Sequence, residues 1–224
     1  MFEKIDYQRL RRLLDQGAQL VEVLPAQEYA EEHLPAAINI PLKQLDAYST
    51  AQLNKGRPVI VYCWDYLCDM SPRAAARLDA LGFEAVYDYA PSKVDYLARG
   101  LPRDGEKATE QRAADLLRDD VVRCGLSDPI DRIRDQVEAS PYGFALVLDE
   151  HEVLLGRLRS SALQGDAGKT AEEAMEPGPS TIRADTSVSK LRERLEGGGL
   201  SFAIVTTPDG VLMGIVCRAD LPSR

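Results

Sequence analysis

FALVLDEHEVLLGRLRSSAL, from Phe144 to Leu163, lies over FAIVTTPDGVLMGIVCRADL, from Phe202 to Leu221, without a gap and at an offset of 58 residues. The register continues upstream, where Ile130, Ile133 and Val137 fall over Val188, Leu191 and Leu195. Those residues recur at helical spacing behind polar starts, Ser127-Asp128 in one copy and Asp185-Thr186 in the other, so each copy opens on an amphipathic helix. Two short apolar runs follow in each copy, and Pro208-Asp209-Gly210 between the second pair is a strong hairpin signal. A second short helix is expected after each glycine-led run. The unit therefore reads as strand, helix, strand, strand, helix. A unit this small gains by duplication, because two copies bury one shared core, and a purely structural duplication would leave the same pattern.

Outward from the repeat, the first half of the chain alternates apolar runs with helical stretches, the pattern of a parallel sheet flanked by helices. Leu10, Leu13 and Leu14 form the apolar face of a first helix closed by Gly17, and Leu20 to Val23 reads as a buried strand. AINI precedes Pro41, and PVIVYC runs from Pro58 into Cys63. Ser71 is expected to cap the helix PRAAARLDAL, with Pro72 at its first position and Gly82 closing it. A thiol at the carboxyl end of a parallel strand then faces a helix N-terminus, a setting that lowers a cysteine pKa and holds an anion against backbone amides.

At 224 residues two or three compact units are expected. With 45% hydrophobic and 28% charged residues, the composition is that of a folded soluble protein. A net charge of -9 argues against a phosphate-backbone surface, so nucleic acid is not an expected partner. MFEKIDYQRLRRLLDQG lacks the apolar run of a signal peptide or membrane span, and a cytoplasmic protein with no membrane contact is expected. Cys63, Cys68, Cys124 and Cys217 do not have the spacing of a zinc site and are expected to be thiols, with no metal bound.

The repeat resembles the CBS family, whose signature is a strand ending in Gly, two hydrophobic residues, Thr or Ser, two further residues and Asp. Copy two reads Gly214-Ile215-Val216-Cys217-Arg218-Ala219-Asp220, approached through Ala174-Met175-Glu176-Pro177. The resemblance implies a tandem pair, a Bateman module, that binds an adenosine ligand such as AMP, ADP, ATP or S-adenosylmethionine between its copies and assembles as a homodimer. Carried onto this sequence, Asp220 would accept the ribose hydroxyls, Cys217 would stand where a hydroxyl holds phosphate, and Gly214 would open the motif. Copy one has Arg159 in the hydroxyl position and Ala162 in the Asp position. Arg157 and Arg159 would reach phosphate from the neighbouring cleft, or would simply be solvated strand-end arginines.

The first half resembles the rhodanese (sulfurtransferase) family from roughly Phe2 to Arg103. LVEVLPAQEYAEEHLPAAINIPL matches the family's Asp-Val-Arg, Glu-Tyr, His-Ile-Pro and Ile-Asn-Ile-Pro segments; PVIVYC with SPRAAARLDALGF matches the strand, loop and helix of its site. The implied fold is α/β, with a rhodanese-like parallel-sheet domain over 1–103, a linker and helix over 104–118, and βαββα CBS units over 119–170 and 171–224. The implied chemistry is thiosulfate or persulfide sulfur transfer through Cys63, exchanging sulfur with small donors and acceptors and with no covalently bound cofactor. Arg73, on the first turn of the helix that follows the loop, is the candidate cation. Glu22 and Leu24 replace the family's usual Asp and Arg, and Asp65 and Asp69 bring carboxylates into the loop, where they repel an anionic donor. The alternative is a degenerate rhodanese domain in a non-catalytic regulator or sensor. Cys68 reads either as a buried small hydrophobe or as a thiol that resolves an oxidised Cys63. His33 reads as structural, and Trp64 as packing over the loop.

Overall fold

The computed structural model describes residues 1–164 and 168–223 and divides into two compact units, Met1–Leu97 with Leu101–Glu110, and Ala98–Gly100 with Gln111–Arg224.

The first unit runs β1 (Glu3–Ile5), α1 (Tyr7–Asp15), β2 (Gln19–Glu22), α2 (Ala26–Glu31), β3 (Ile38–Asn39), β4 (Val59–Tyr62), α3 (Met70–Ala80), β5 (Val86–Tyr89) and α4 (Ser92–Ala98). All neighbours are parallel, in the order β1-β5-β4-β2-β3. Helices cover both faces, so β4 is buried at every residue, as expected of interior parallel strands. Asp6 caps α1 by accepting the Arg9 N–H, and Gly17 takes a positive φ just beyond its end. Ala74, Ala75 and Leu78 bring α3 close against the sheet beneath the β4 carboxyl end.

The second unit runs β6 (Val122–Gly125), α5 (Ile130–Ala139), β7 (Phe144–Leu148), β8 (Leu154–Arg159), α6 (Ser160–Leu163), α7 (Ala171–Ala174), β9 (Glu176–Pro177), β10 (Thr181–Ile182), α8 (Val188–Gly197), β11 (Phe202–Thr206) and β12 (Leu212–Cys217). The 58-residue register holds in three dimensions. Phe144 pairs with Arg159 as Phe202 pairs with Cys217, and both hairpins carry a bulge, after Val147 and after Val205. Each copy keeps its own core, and a third cluster containing Phe144, Leu146, Ile204 and Ile215 joins them. Phe144 and Phe202 stack there with ring centroids 4.3 Å apart.

Three local expectations need correction. Asp69, not Ser71, occupies the N-cap of α3, and Ser71 lies inside the first turn with its hydroxyl turned inward. The charged stretch after Arg103 forms only a 3-10 turn over Ala113–Leu116, where the Asp115 carboxylate turns back to cap the Arg112 N–H. Copy two closes on another 3-10 turn, Arg218–Asp220, in place of a second α-helix. Gly165, Asp166 and Ala167 of the connector between the copies, and Arg224 at the end of copy two, lie outside the described residues.

Candidate functional site

The thiol loop starts where β4 ends. Cys63 is fully buried, and its N–H donates to Ser92 Oγ at 3.1 Å. Ser92 holds φ at +60°, a conformation a non-glycine residue adopts only when its surroundings enforce it. Its hydroxyl also donates to the Tyr89 carbonyl and stands 3.9 Å from Cys63 Sγ, so the α4 entrance fixes the thiol from below. Cys63 Sγ donates to Ser71 Oγ at 3.2 Å and lies 3.5 Å from the Cys68 carbonyl oxygen. Burial pushes the Cys63 thiol pKa up, the Cys68 thiol adds to this, and Ser71 offsets part of it.

Two of the loop's amides are taken up by the loop itself. Asp65 Oδ1 accepts the N–H of Leu67 at 2.9 Å and of Cys68 at 3.0 Å, and the Cys68 N–H also reaches the Asp65 carbonyl. An internal carboxylate thus takes two of the consecutive loop amides that can otherwise turn to an anion. Arg73, the cation suggested by the sequence, lies on the exposed side of α3 and pairs with Asp69 at 3.3 Å.

Two buried charges near the loop escape a motif reading. Lys93, fully buried, donates to Glu22 Oε1 at 2.7 Å, to the Glu32 carbonyl at 2.6 Å and to the Glu28 carbonyl at 3.2 Å. It supplies from α4 a cation that Leu24 does not. Its Nζ lies 5.8 Å from the Trp64 ring centroid. Burial raises the Glu22 pKa, against the pull of Lys93 and the Tyr62 hydroxyl. Asp88, on interior strand β5, is 1% exposed, and burial raises its pKa while the Ser71 hydroxyl lowers it. Asp88 was findable, since a carboxylate flanked by Tyr87 and Tyr89 on an interior parallel strand has nowhere to go but inward. Lys93 carried no such signal.

In the second unit the equivalent motif ends of the two copies differ in charge. Asp220 is held by Arg118, whose Nε donates to Oδ2 at 2.6 Å and whose Nη2 donates to Oδ1. That guanidinium keeps the Asp220 carboxyl below the usual range. Burial pushes the half-buried Cys217 thiol up, and Asp220 adds to it. Gly214 is required by close approach: a β-carbon there would sit 2.4 Å from the Arg118 carbonyl oxygen, because Arg118 and Ile215 exchange backbone hydrogen bonds.

The equivalent end of copy one is basic and opens on a groove. Arg157 donates to Glu176 Oε2 at 2.9 Å, and Arg159 Nε lies 2.8 Å from Glu176 Oε1. Arg157, Arg159 and Arg194 converge on a groove of about 360 Å³ floored by Phe202 and edged by Ser180 and Ser201. Arg194 also donates to Ser180 Oγ. Arg118 and Glu176 are themselves 58 residues apart in register, so each motif end receives one connector side chain of opposite charge. Of the residues singled out from sequence, Gly214 packs against the Arg118 backbone, Asp220 pairs with the Arg118 side chain, Cys217 ends β12, and Arg159 lines the groove. Arg194 was missed because it sits on a helix with no motif around it.

Among the described residues no cluster of three or more His, Cys, Asp or Glu side chains is placed to hold a metal ion. No helix among them is long and apolar enough to cross a membrane.

A buried thiol loop at the end of a parallel strand, followed by a duplicated βαββ unit, is the class that fold and site define. Residues 6–98 match the model of the rhodanese-like domain, and residues 171–221 that of the CBS domain. The chain is 34% identical over 87 residues to the thiosulfate sulfurtransferase GlpE of Pseudomonas savastanoi pv. phaseolicola, covering 38% of this chain and 78% of that protein. It is 36% identical over 95 residues to an HTH-type transcriptional regulator of Mycobacterium tuberculosis, covering 42% of this chain and only 41% of the regulator. The crystal structure of CBSX2 in complex with AMP is similar with a TM-score of 0.44 at 20% identity, covering 49% of this chain and 92% of that one. The chain belongs to the rhodanese-like family and carries a CBS domain behind the rhodanese-like one. The CBS model matches copy two; copy one shares its strand pairing and bulge but has exchanged the motif's Asp for Ala162.

Proposed function

We propose that this chain is a regulatory protein: its CBS pair takes a phosphate-bearing adenosine ligand, and its rhodanese-like domain is a thiol-bearing domain that does not turn over thiosulfate. One observation carries this reading. The Asp65 carboxylate accepts the Leu67 and Cys68 amides, the groups that would otherwise receive an anionic sulfur donor, while Cys63 lies fully buried beside them. The adenosine moiety is taken from the CBS resemblance. The phosphate is favoured by the three guanidinium groups of the groove, since arginine forks match phosphate oxygens. The groove is large enough to seat a small anionic ligand. The homodimer expected of CBS pairs belongs to the same proposal, and a monomeric mass by light scattering across micromolar concentrations would contradict it.

Titration calorimetry with AMP, ADP, ATP and S-adenosylmethionine tests the ligand. Binding of the phosphate-bearing compounds, lost in Arg159→Ala, is expected; no binding at millimolar concentration overturns it. Intact-mass measurement after incubation with thiosulfate tests the thiol, with no added sulfur expected. A second reading, a persulfide carrier, is favoured by the Ser71 and Ser92 hydroxyls beside Cys63 Sγ, which would support a charged sulfur. One sulfur atom gained by the wild type and absent from Cys63→Ser would establish that reading instead.

A further inference from the structure

The loop after β4 closes a tight turn, in which the Cys68 N–H reaches back to the Asp65 carbonyl at 3.3 Å and to Asp65 Oδ1 at 3.0 Å. That turn folds residue 68 over residue 63. Cys63 Sγ lies 3.5 Å from the Cys68 carbonyl oxygen, and the Cys68 side chain packs on the same apolar cluster that contains Cys63. The two thiols differ in access. Cys63 is fully buried, whereas Cys68 is half-buried on a loop whose neighbours Tyr66 and Leu67 project into solvent. A buried and a reachable thiol, five residues apart on one turn, have the placement of a resolving and a peroxidatic pair.

We propose that Cys63 and Cys68 form a redox-active dithiol, oxidised by hydroperoxides to an intraloop disulfide. In the first step the Cys68 sulfur attacks the peroxide, the O–O bond breaks, Cys68 becomes a sulfenic acid and the peroxide leaves as its alcohol, or as water in the case of hydrogen peroxide. In the second step Cys63 sulfur attacks Cys68 sulfur, the S–O bond breaks, and the Cys63 proton departs with the hydroxyl group as water. Two electrons pass from the two thiols to the peroxide, and a dithiol reductant reverses the change. The Ser71 hydroxyl, 3.2 Å from Cys63 Sγ, is the polar group placed to relay the proton. The other two thiols belong to β6 and β12 of the second unit, and burial pushes Cys124 up to about 12, which keeps it protonated.

The full chain exposed to a small excess of hydrogen peroxide, denatured and alkylated, tests the proposal. Cys63 and Cys68 share one tryptic peptide, ending at Arg73, so the disulfide registers as that peptide lighter by two hydrogens and unalkylated. Dithiothreitol added before alkylation should restore both labels. Cys63→Ser should halt at the first step, giving a dimedone adduct on Cys68 several-fold above wild type. The proposal is overturned if both cysteines of the wild-type peptide stay alkylatable. It is equally overturned if Cys68 gains oxygen while Cys63 remains free, or if Cys63→Ser yields no dimedone adduct on Cys68.

Discussion

Replacing Lys93 with Met should remove the cation of a fully buried ion pair, and the size of the loss follows from its contacts. Lys93 Nζ touches one Glu22 carboxylate oxygen and two main-chain carbonyls around the end of α2, and both partners of the pair are 0% exposed. Breaking a buried pair by removing one member costs about 3–5 kcal/mol, because the other charge stays buried without compensation. For a unit of roughly 100 residues, each kcal/mol moves the melting temperature by about 4 °C or more, so Lys93→Met should melt at least about 12 °C lower. That is a large share of the roughly 5–15 kcal/mol that holds such a domain folded. Trp64 is the sole tryptophan and lies in the affected unit, so urea unfolding followed by its fluorescence reports on that unit, with circular dichroism as a second probe. The paired replacement Glu22→Leu with Lys93→Met should recover most of the loss, since a buried pair exchanged for apolar groups is often neutral or better. A single variant within about 1 kcal/mol of wild type, or a double variant no better than the single, would refute the assignment of Lys93 as the structural cation of this domain.

Asp65→Ala should free the Leu67 amide and strip the side-chain acceptor from the Cys68 amide, and mass measurement after thiosulfate treatment should then detect more sulfur on Cys63 than in wild type. Glu176→Gln should strengthen binding of pyrophosphate several-fold by calorimetry, because the carboxylate engaged by Arg157 and Arg159 competes with an incoming anion. Gly214→Ala should destabilise the second unit by about 1–3 kcal/mol in chemical denaturation, as its β-carbon would meet the Arg118 carbonyl oxygen and its φ of +148° is unfavourable for alanine. Stability of the first unit should fall as pH rises from the ordinary carboxylate range through the raised pKa values of Glu22 and Asp88. In that window the folded state keeps protons that the unfolded chain has released, and Asp88→Asn should flatten the slope.

The repeat and the parallel sheet were legible because they are written in apolar periodicity, which reports burial directly. Cys63 was legible because strand, loop and helix follow one another in sequence. What was not legible depends on partners brought from afar. Lys93 meets Glu22 across 71 residues, and Arg118 meets Asp220 across 102. No local pattern marks either encounter. Ser71 shows a different limit: its residue type suits a cap, but the chain starts the helix two residues earlier and turns the hydroxyl onto a thiol. The Asp65 turn was half visible, since the sequence warned of a carboxylate in the loop but not that its charge would be spent on the loop's own amides.

The opposed connector charges, Arg118 against Asp220 and Glu176 against Arg157 and Arg159, make the two repeats non-interchangeable parts. A chain with its connectors exchanged would set glutamate against aspartate at one motif end and arginine against two arginines at the other. Drift at any of these positions is therefore tied to its partner more than a hundred residues away at one end and fewer than twenty at the other. The shorter tether can be inherited as a block, whereas the longer one spans nearly the whole duplicated module. Recombination within that module would separate Arg118 from Asp220 far more readily than Glu176 from its arginines.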